Sequence, residues 1–225
     1  VRQYGLDRLL IVDIDFLAAG GQIITKSLMV ELMGKYSNII LVQDGMIIDS
    51  LRKVGANSSR IRTILPGDKY ILPPQQDKLN LLEVPIPDII SALQTKTELK
   101  LSKAILDTCL GFGPVTAKET AFGAGLPNNI PVAELNPGDW QSLADSLAEI
   151  KESFQEPCGL ASIVVDKNNK LLASASFPLH YFTEENTLTF DTISAMLSEA
   201  SDLVGSYQVP DQDRFKKLVK NELHR

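Results

Sequence analysis

Residues 110–125 read LGFGPVTAKETAFGAG, a glycine-rich turn set between the helix-patterned LKLSKAILDTCL and a second helical stretch. Main-chain N–H groups at such a turn, together with the positive end of a helix opened by Pro114, suit a phosphate. Gly111, Gly113 and Lys118 would form that anion site. The same spacing also fits a tight corner between two helices whose glycines serve packing alone.

A second basic feature is SSRIRTILPG, where Arg60 and Arg62 lie two apart in an extended segment and so point the same way. They read either as phosphate contacts or as a solvated edge that discourages strand pairing. Acid-base histidine chemistry is nearly excluded, because the chain has only His180 and His224 and lacks GxSxG, HExxH and a Walker-type glycine loop. Asp13 and Asp15 alternate on one face of a strand, which solvent exposure explains more simply than a catalytic carboxylate pair. His180 reads as a satisfied structural histidine. Cys109 and Cys158 show no metal-ligand spacing and suggest no disulfide framework, which fits a reduced cytoplasm. No metal and no cofactor is expected, and the chain reads as a binding module rather than an enzyme.

These residues need elements to position them. LLIVDIDF, LMVELM, SNIILVQ and MIIDSL alternate and follow one another at short intervals, as an antiparallel meander does. Asp44-Gly45 predicts a tight hairpin, since that pair tolerates positive φ. Leu65-Pro66-Gly67 and Pro73-Pro74 then stop the sheet. After Leu81 the apolar period changes to three and four through PDIISALQ, ELKLSKAILDTCL, PVTAKETAFGAG and DWQSLADSLAEIKESF. Pro114 and Asp139 mark helix starts, and Gly123 and Gly125 mark helix ends. Strand character returns in LASIVVD and LLASASFPLHYF about an Asn168-Asn169 turn, and Phe190 to Leu203 reads as a helix.

The 225 residues suffice for one large domain or two modest ones, and no apolar run is long enough for a membrane span. The net charge of -6 argues against binding nucleic acid through bulk positive charge. That charge is uneven: residues 1–74 hold nine Lys/Arg against seven Asp/Glu, and residues 75–225 hold thirteen against twenty-one. Any polyanion site is therefore local. The start at Val1 and the end at His224-Arg225, inside a charged helical pattern, suggest an excised fragment.

GFGPVTAKETAFGAG resembles the helix-hairpin-helix element of the NFACT family, also called the fibronectin-binding protein A group, and more distantly the corresponding element of formamidopyrimidine-DNA glycosylases. YGLDRLLIVDI, LMVELMGKYSNIILVQDGMIIDSL, RIRTILPGDKYILPP and FDTISAMLSEA resemble NFACT blocks in the same order, so the resemblance spans nearly the whole chain. It implies that Asp7 and Arg8, which match a paired Asp-Arg motif, contribute to tRNA engagement. An arginine offers a bidentate fork to phosphate or a base edge, and the adjacent carboxylate can orient a partner. Gly34, Lys35, Tyr36, Ser37 and Asn38 match a Gly-basic-aromatic-Ser-Asn motif, with Tyr36 where the family commonly carries His. Lys35 could meet a phosphate, and Tyr36 could stack on a base or plug the hairpin.

The resemblance implies an α+β fold, with an NFACT-N-like antiparallel sheet over residues 1–82 and a helical helix-hairpin-helix insert over 83–157. A return to the sheet follows over 158–204, and a coiled-coil arm starts at 205–225. It also implies a cytoplasmic module that binds tRNA and the large ribosomal subunit, its rRNA and a stalled nascent chain, in support of C-terminal tailing. Two alternatives stand beside it: a glycosylase-like DNA-binding or repair protein, and a fibronectin- or fibrinogen-binding adhesin.

Overall fold

The computed structural model describes residues 1–57, 61–74, 76–155 and 160–205. The fold is α+β and divides into two compact units, the first comprising Val1–Asn80 with Cys109–Gly111 and the second Leu81–Thr108 with the chain from Phe112 onward.

In the first unit, β1 (Arg2–Gln3), β2 (Leu9–Leu17), β3 (Ile23–Glu31), β4 (Asn38–Gln43) and β5 (Met46–Ser50) form an antiparallel meander in sequence order. Alternation along β4 buries Asn38, Ile40 and Val42 on one face, where Ile40 and Val42 meet Ile47 and Ile64 in a core flanked by Met29, Val54 and Tyr70. The β4–β5 turn takes the positive φ values anticipated there, 51° at Asp44 and 77° at Gly45. The chain then folds back over the sheet. Val54 pairs with Ile64, and the Leu-Pro-Gly turn, with Gly67 at φ 89°, returns residues 68–70 to the β5 edge. There the Ile47 amide donates to the Asp68 carbonyl at 2.8 Å, and the Tyr70 amide donates to that of Gly45 at 2.8 Å. Residues 109–111 join this unit, and the Leu110 amide donates to the Leu79 carbonyl at 2.8 Å.

The second unit begins with α1 (Ile86–Gln94), α2 (Leu101–Thr108), α3 (Pro114–Gly123) and α4 (Pro137–Gln155). Pro114 opens α3 as anticipated, and Gly125, at φ 70°, terminates it with its amide on the Phe122 carbonyl. α4 starts at Pro137, two residues before Asp139. Asn136 is the cap: its Oδ1 accepts from the Gly138 and Asp139 amides, while the Asp139 carboxylate accepts from the Asn136 amide. Ile89, Leu93, Leu101, Ile105, Leu143 and Leu147 are buried along the inner helix faces. Truncating any of them to alanine costs about 2–5 kcal/mol.

The remaining strands do not extend the first sheet. β6 (Ala161–Val165), β7 (Leu171–Ala175) and β8 (Asn186–Phe190) form a separate three-stranded sheet in the order β7-β6-β8. All five residues of β6 are buried, and Ala161, Ile163 and Val165 pack on Met196 and Ala200 of α5 (Ile193–Gly205). Two elements differ from the sequence reading. Phe190 ends β8 opposite Ala161 instead of starting a helix, and Thr192 caps α5 through its hydroxyl, which accepts the Ala195 amide at 3.1 Å. β7 stops at Ala175, so His180 lies beyond the strand, in a loop that buries Phe177 and Leu179. Of the expected coiled-coil start, residues 206–225, His224 among them, lie outside the described residues, as do Arg60 and Cys158. Among the described residues, no helix is long and apolar enough to cross a membrane.

Candidate nucleic-acid interface

One end of the first sheet gathers most of the basic and aromatic residues singled out from the sequence. The β3–β4 connection is a single 3-10 turn over Gly34–Tyr36, entered through Gly34 at φ 58°. It leaves Lys35 exposed and Tyr36 70% exposed, with the Lys35 ammonium 4.9 Å from the Tyr36 ring centroid. Asn38 is not available to a ligand in the same way. It is buried, its Oδ1 accepts from the Ile39 amide at 3.0 Å and the Arg52 amide at 2.9 Å, and its Nδ2 donates to the Arg52 carbonyl at 2.8 Å. The Arg52 guanidinium in turn donates to the Lys35 carbonyl. Asn38 and Arg52 therefore fix the turn that presents Lys35 and Tyr36.

Behind that turn lies a cavity of about 570 Å³ whose polar wall is Lys35, Tyr36, Asn38, Arg52 and Arg62 and whose apolar wall includes Val54 and Ile64. Arg62 is turned inward rather than onto a basic face. Its guanidinium donates to both oxygens of Glu31, 2.8 Å to Oε1, and to the Ile71 carbonyl at 2.8 Å. The Tyr70 hydroxyl donates to Glu31 Oε1 at 2.9 Å. With side chains 12% and 1% exposed, Arg62 and Glu31 form a buried pair whose desolvation these hydrogen bonds offset. Burial works against the charge on Arg62, but the hydrogen bond and attraction of Glu31 prevail and hold its pKa above the ordinary arginine value. Burial first, and the Glu31 charge second, push the Tyr70 phenol well above its usual range.

Asp7 and Arg8 occupy the β1–β2 turn at the same end of the sheet, without lining the cavity. Asp7 Oδ1 accepts the Arg8 amide at 2.7 Å, and the Arg8 carbonyl accepts the Leu32 amide at 2.8 Å, next to Glu31. The Arg8 side chain is exposed.

The glycines of the α2–α3 turn have separate roles. Gly111, at φ 80°, belongs to the first unit, and a Cβ there would lie 2.8 Å from Leu6 Cβ. Close approach to Leu6 demands it. Gly113 belongs to the second unit as the extended N-cap of α3, with no side-chain cap and nothing within 4 Å of a Cβ position. Lys118 places its ammonium 5.4 Å from the Tyr181 ring centroid. Glu31, Arg52 and Tyr70 were not singled out from the sequence. The one available signal was Glu31 itself, a carboxylate inside the otherwise apolar LMVELM.

The sequence profile described as NFACT N-terminal and middle domains matches residues 1–225. The chain belongs to the NFACT family. Its curated relatives include the Rqc2 homolog RqcH of Bacillus subtilis (strain 168), 38% identical over 154 residues that make up 68% of this chain and 26% of that protein. The Rqc2 homolog RqcH of Streptococcus suis (strain 05ZYH33) is 29% identical over 238 residues, 99% of this chain and 38% of that protein. The NFACT chain thus spans well under half the length of these relatives. Among solved structures, the N-terminal part of the fibronectin/fibrinogen-binding protein of Streptococcus suis superimposes with a TM-score of 0.65 at 28% identity, covering 88% of this chain and 64% of that one. The fibrinogen binding protein of Staphylococcus aureus shares the fold with a TM-score of 0.70 at 22% identity, covering 87% and 66%.

Proposed function

We propose that this NFACT chain is a tRNA-binding module of a ribosome-associated quality-control factor. It acts in the cytoplasm at large ribosomal subunits that carry a stalled nascent chain, in support of C-terminal tailing. The module positions tRNA and performs no chemistry, so peptidyl transfer belongs to the ribosome. The observation that carries the reading is the exposed Lys35–Tyr36 turn, held by Asn38 and Arg52 at the sheet end that also presents Arg8. Lysine supplies a phosphate contact, arginine a bidentate fork, and an exposed aromatic ring a stacking surface for an unpaired base. The kinship to RqcH proteins supports the ribosomal setting.

The test is a titration of the chain with labelled tRNA at two salt concentrations, with duplex DNA as competitor and the double variant Asp7→Ala/Arg8→Ala alongside. Binding that outcompetes DNA and is lost in the double variant supports the reading. Equal binding of tRNA and DNA, or binding indifferent to the double variant, moves the function to a glycosylase-like backbone clamp. The name of the Streptococcus suis structure favours a second reading, fibronectin or fibrinogen binding, which immobilised fibronectin in the same assay addresses.

A further inference from the structure

The second unit carries a cavity of about 230 Å³ that the proposed RNA function leaves unused. Phe122 of α3, Ile150 of α4, and Phe177 and Pro178 of the loop after β7 form its apolar walls, and Glu119, Glu149 and His180 its polar ones. Serines, a histidine and a glutamate in one cavity invite a hydrolytic reading, which the hydrogen bonds reject. The Ser146 hydroxyl donates to the Thr120 carbonyl at 2.8 Å and the Ser153 hydroxyl to the Ile150 carbonyl at 2.7 Å. Each hydroxyl proton is committed to a helix carbonyl, and neither serine is activated as a nucleophile.

Negative charge against an apolar wall is what the cavity offers. Glu119, its side chain 7% exposed, accepts the His180 amide at 2.8 Å, the Tyr181 amide at 2.9 Å and a contact from His180 Nδ1 at 3.0 Å. Its neighbour Lys118 is turned to the Tyr181 ring. Among the described residues, no lysine or arginine forms an ion pair with Glu119 or Glu149. Around the rim, α4 sets the exposed Asp145, Glu149 and Glu152 at successive turns of one side, and Lys151 is the only basic residue of that helix. Phe122 stays 40% exposed beside them. This face repels a polyanion and complements a cation on an aliphatic stem.

We infer that the cavity is a docking site for a basic segment of another protein, which inserts an arginine side chain. The stem lies along Phe122, Ile150 and Pro178, and the guanidinium reaches the Glu119–Glu149 wall or stacks on the Phe122 ring. Flanking basic residues of the segment meet Asp145 and Glu152. This site is independent of the tRNA reading.

Fluorescence anisotropy of the 225-residue chain with a labelled decapeptide alternating arginine and leucine tests it, against the same peptide with neutral citrulline for arginine. The arginine peptide binds about tenfold more tightly than the citrulline peptide. Glu149→Lys and Phe122→Ala, both at exposed positions and checked for unchanged thermal unfolding, each weaken binding about fivefold. Asp202→Lys, an equal charge change on exposed α5, weakens it less. Equal binding of the citrulline peptide, or equal losses in Glu149→Lys and Asp202→Lys, overturns the proposal as generic charge attraction. Binding of a labelled oligouridylate that Phe122→Ala weakens also overturns it, by assigning this face to RNA.

Discussion

Arg62 holds Glu31 through two guanidinium nitrogens while the Tyr70 hydroxyl occupies the same carboxylate, which converts a sequence-level candidate for phosphate binding into a structural tie. Arg62→Ala is expected to destabilise the first unit by about 3 kcal/mol, because it strands a buried carboxylate. Urea unfolding measures this. Glu31→Leu combined with Arg62→Met should cost less than the sum of the single substitutions, since both charges then leave together.

Lys35 and Tyr36 are exposed, so their substitutions should separate binding from stability. Lys35→Ala should leave the unfolding midpoint nearly unchanged and reduce the salt dependence of tRNA affinity by about 0.7–0.9 in slope. Tyr36→Ala should weaken binding by about 1–3 kcal/mol and Tyr36→Phe by far less, if the ring acts by stacking. Anisotropy across a salt series reads both.

At the α2–α3 turn the two glycines should respond differently. Gly111→Ala combines a positive φ with a steric conflict at Leu6 and should cost roughly 2 kcal/mol or more. Gly113→Ala meets open space in extended backbone and should cost at most about 1 kcal/mol, the usual loss at an N-cap. Thermal unfolding of the two variants orders them.

Asp13 accepts from the Ser27 hydroxyl at 2.6 Å and from Arg2, and these bonds lower its pKa below 3.8. A carboxyl whose folded pKa is depressed stabilises the fold above its unfolded value, and that contribution disappears as pH falls through the folded one. Asp13→Asn should therefore flatten the loss of stability below pH 3.8, measured by denaturant midpoints across acid pH.

Local features of the fold were legible because their physics is local. Asp44-Gly45 can take two successive positive φ angles, and Pro114 and Gly125 bound α3 through their own backbone constraints. The separate second sheet was not legible, because pairing of β6 with β7 and β8 depends on which edge the strands meet. β8 was not read as a strand, and only its last residue, Phe190, was taken into the helical pattern that follows. At the candidate site, the Lys35–Tyr36 turn could be found from the sequence. The Glu31 network could not, since its partners Arg62 and Tyr70 lie 31 and 39 positions away.

Glu119 accepts main-chain amides 61 and 62 positions further along the chain, and so ties helix α3 to the loop that leaves β7. Contacts over such a span close slowly, whereas neighbouring helices assemble from local encounters. The helices are therefore expected to form first and the Glu119 linkage after the folding barrier, which folding and unfolding rates of Glu119→Gln would test. Its loss would be felt as faster unfolding at a nearly unchanged folding rate, so this buried carboxylate acts as a latch on the lifetime of the second unit.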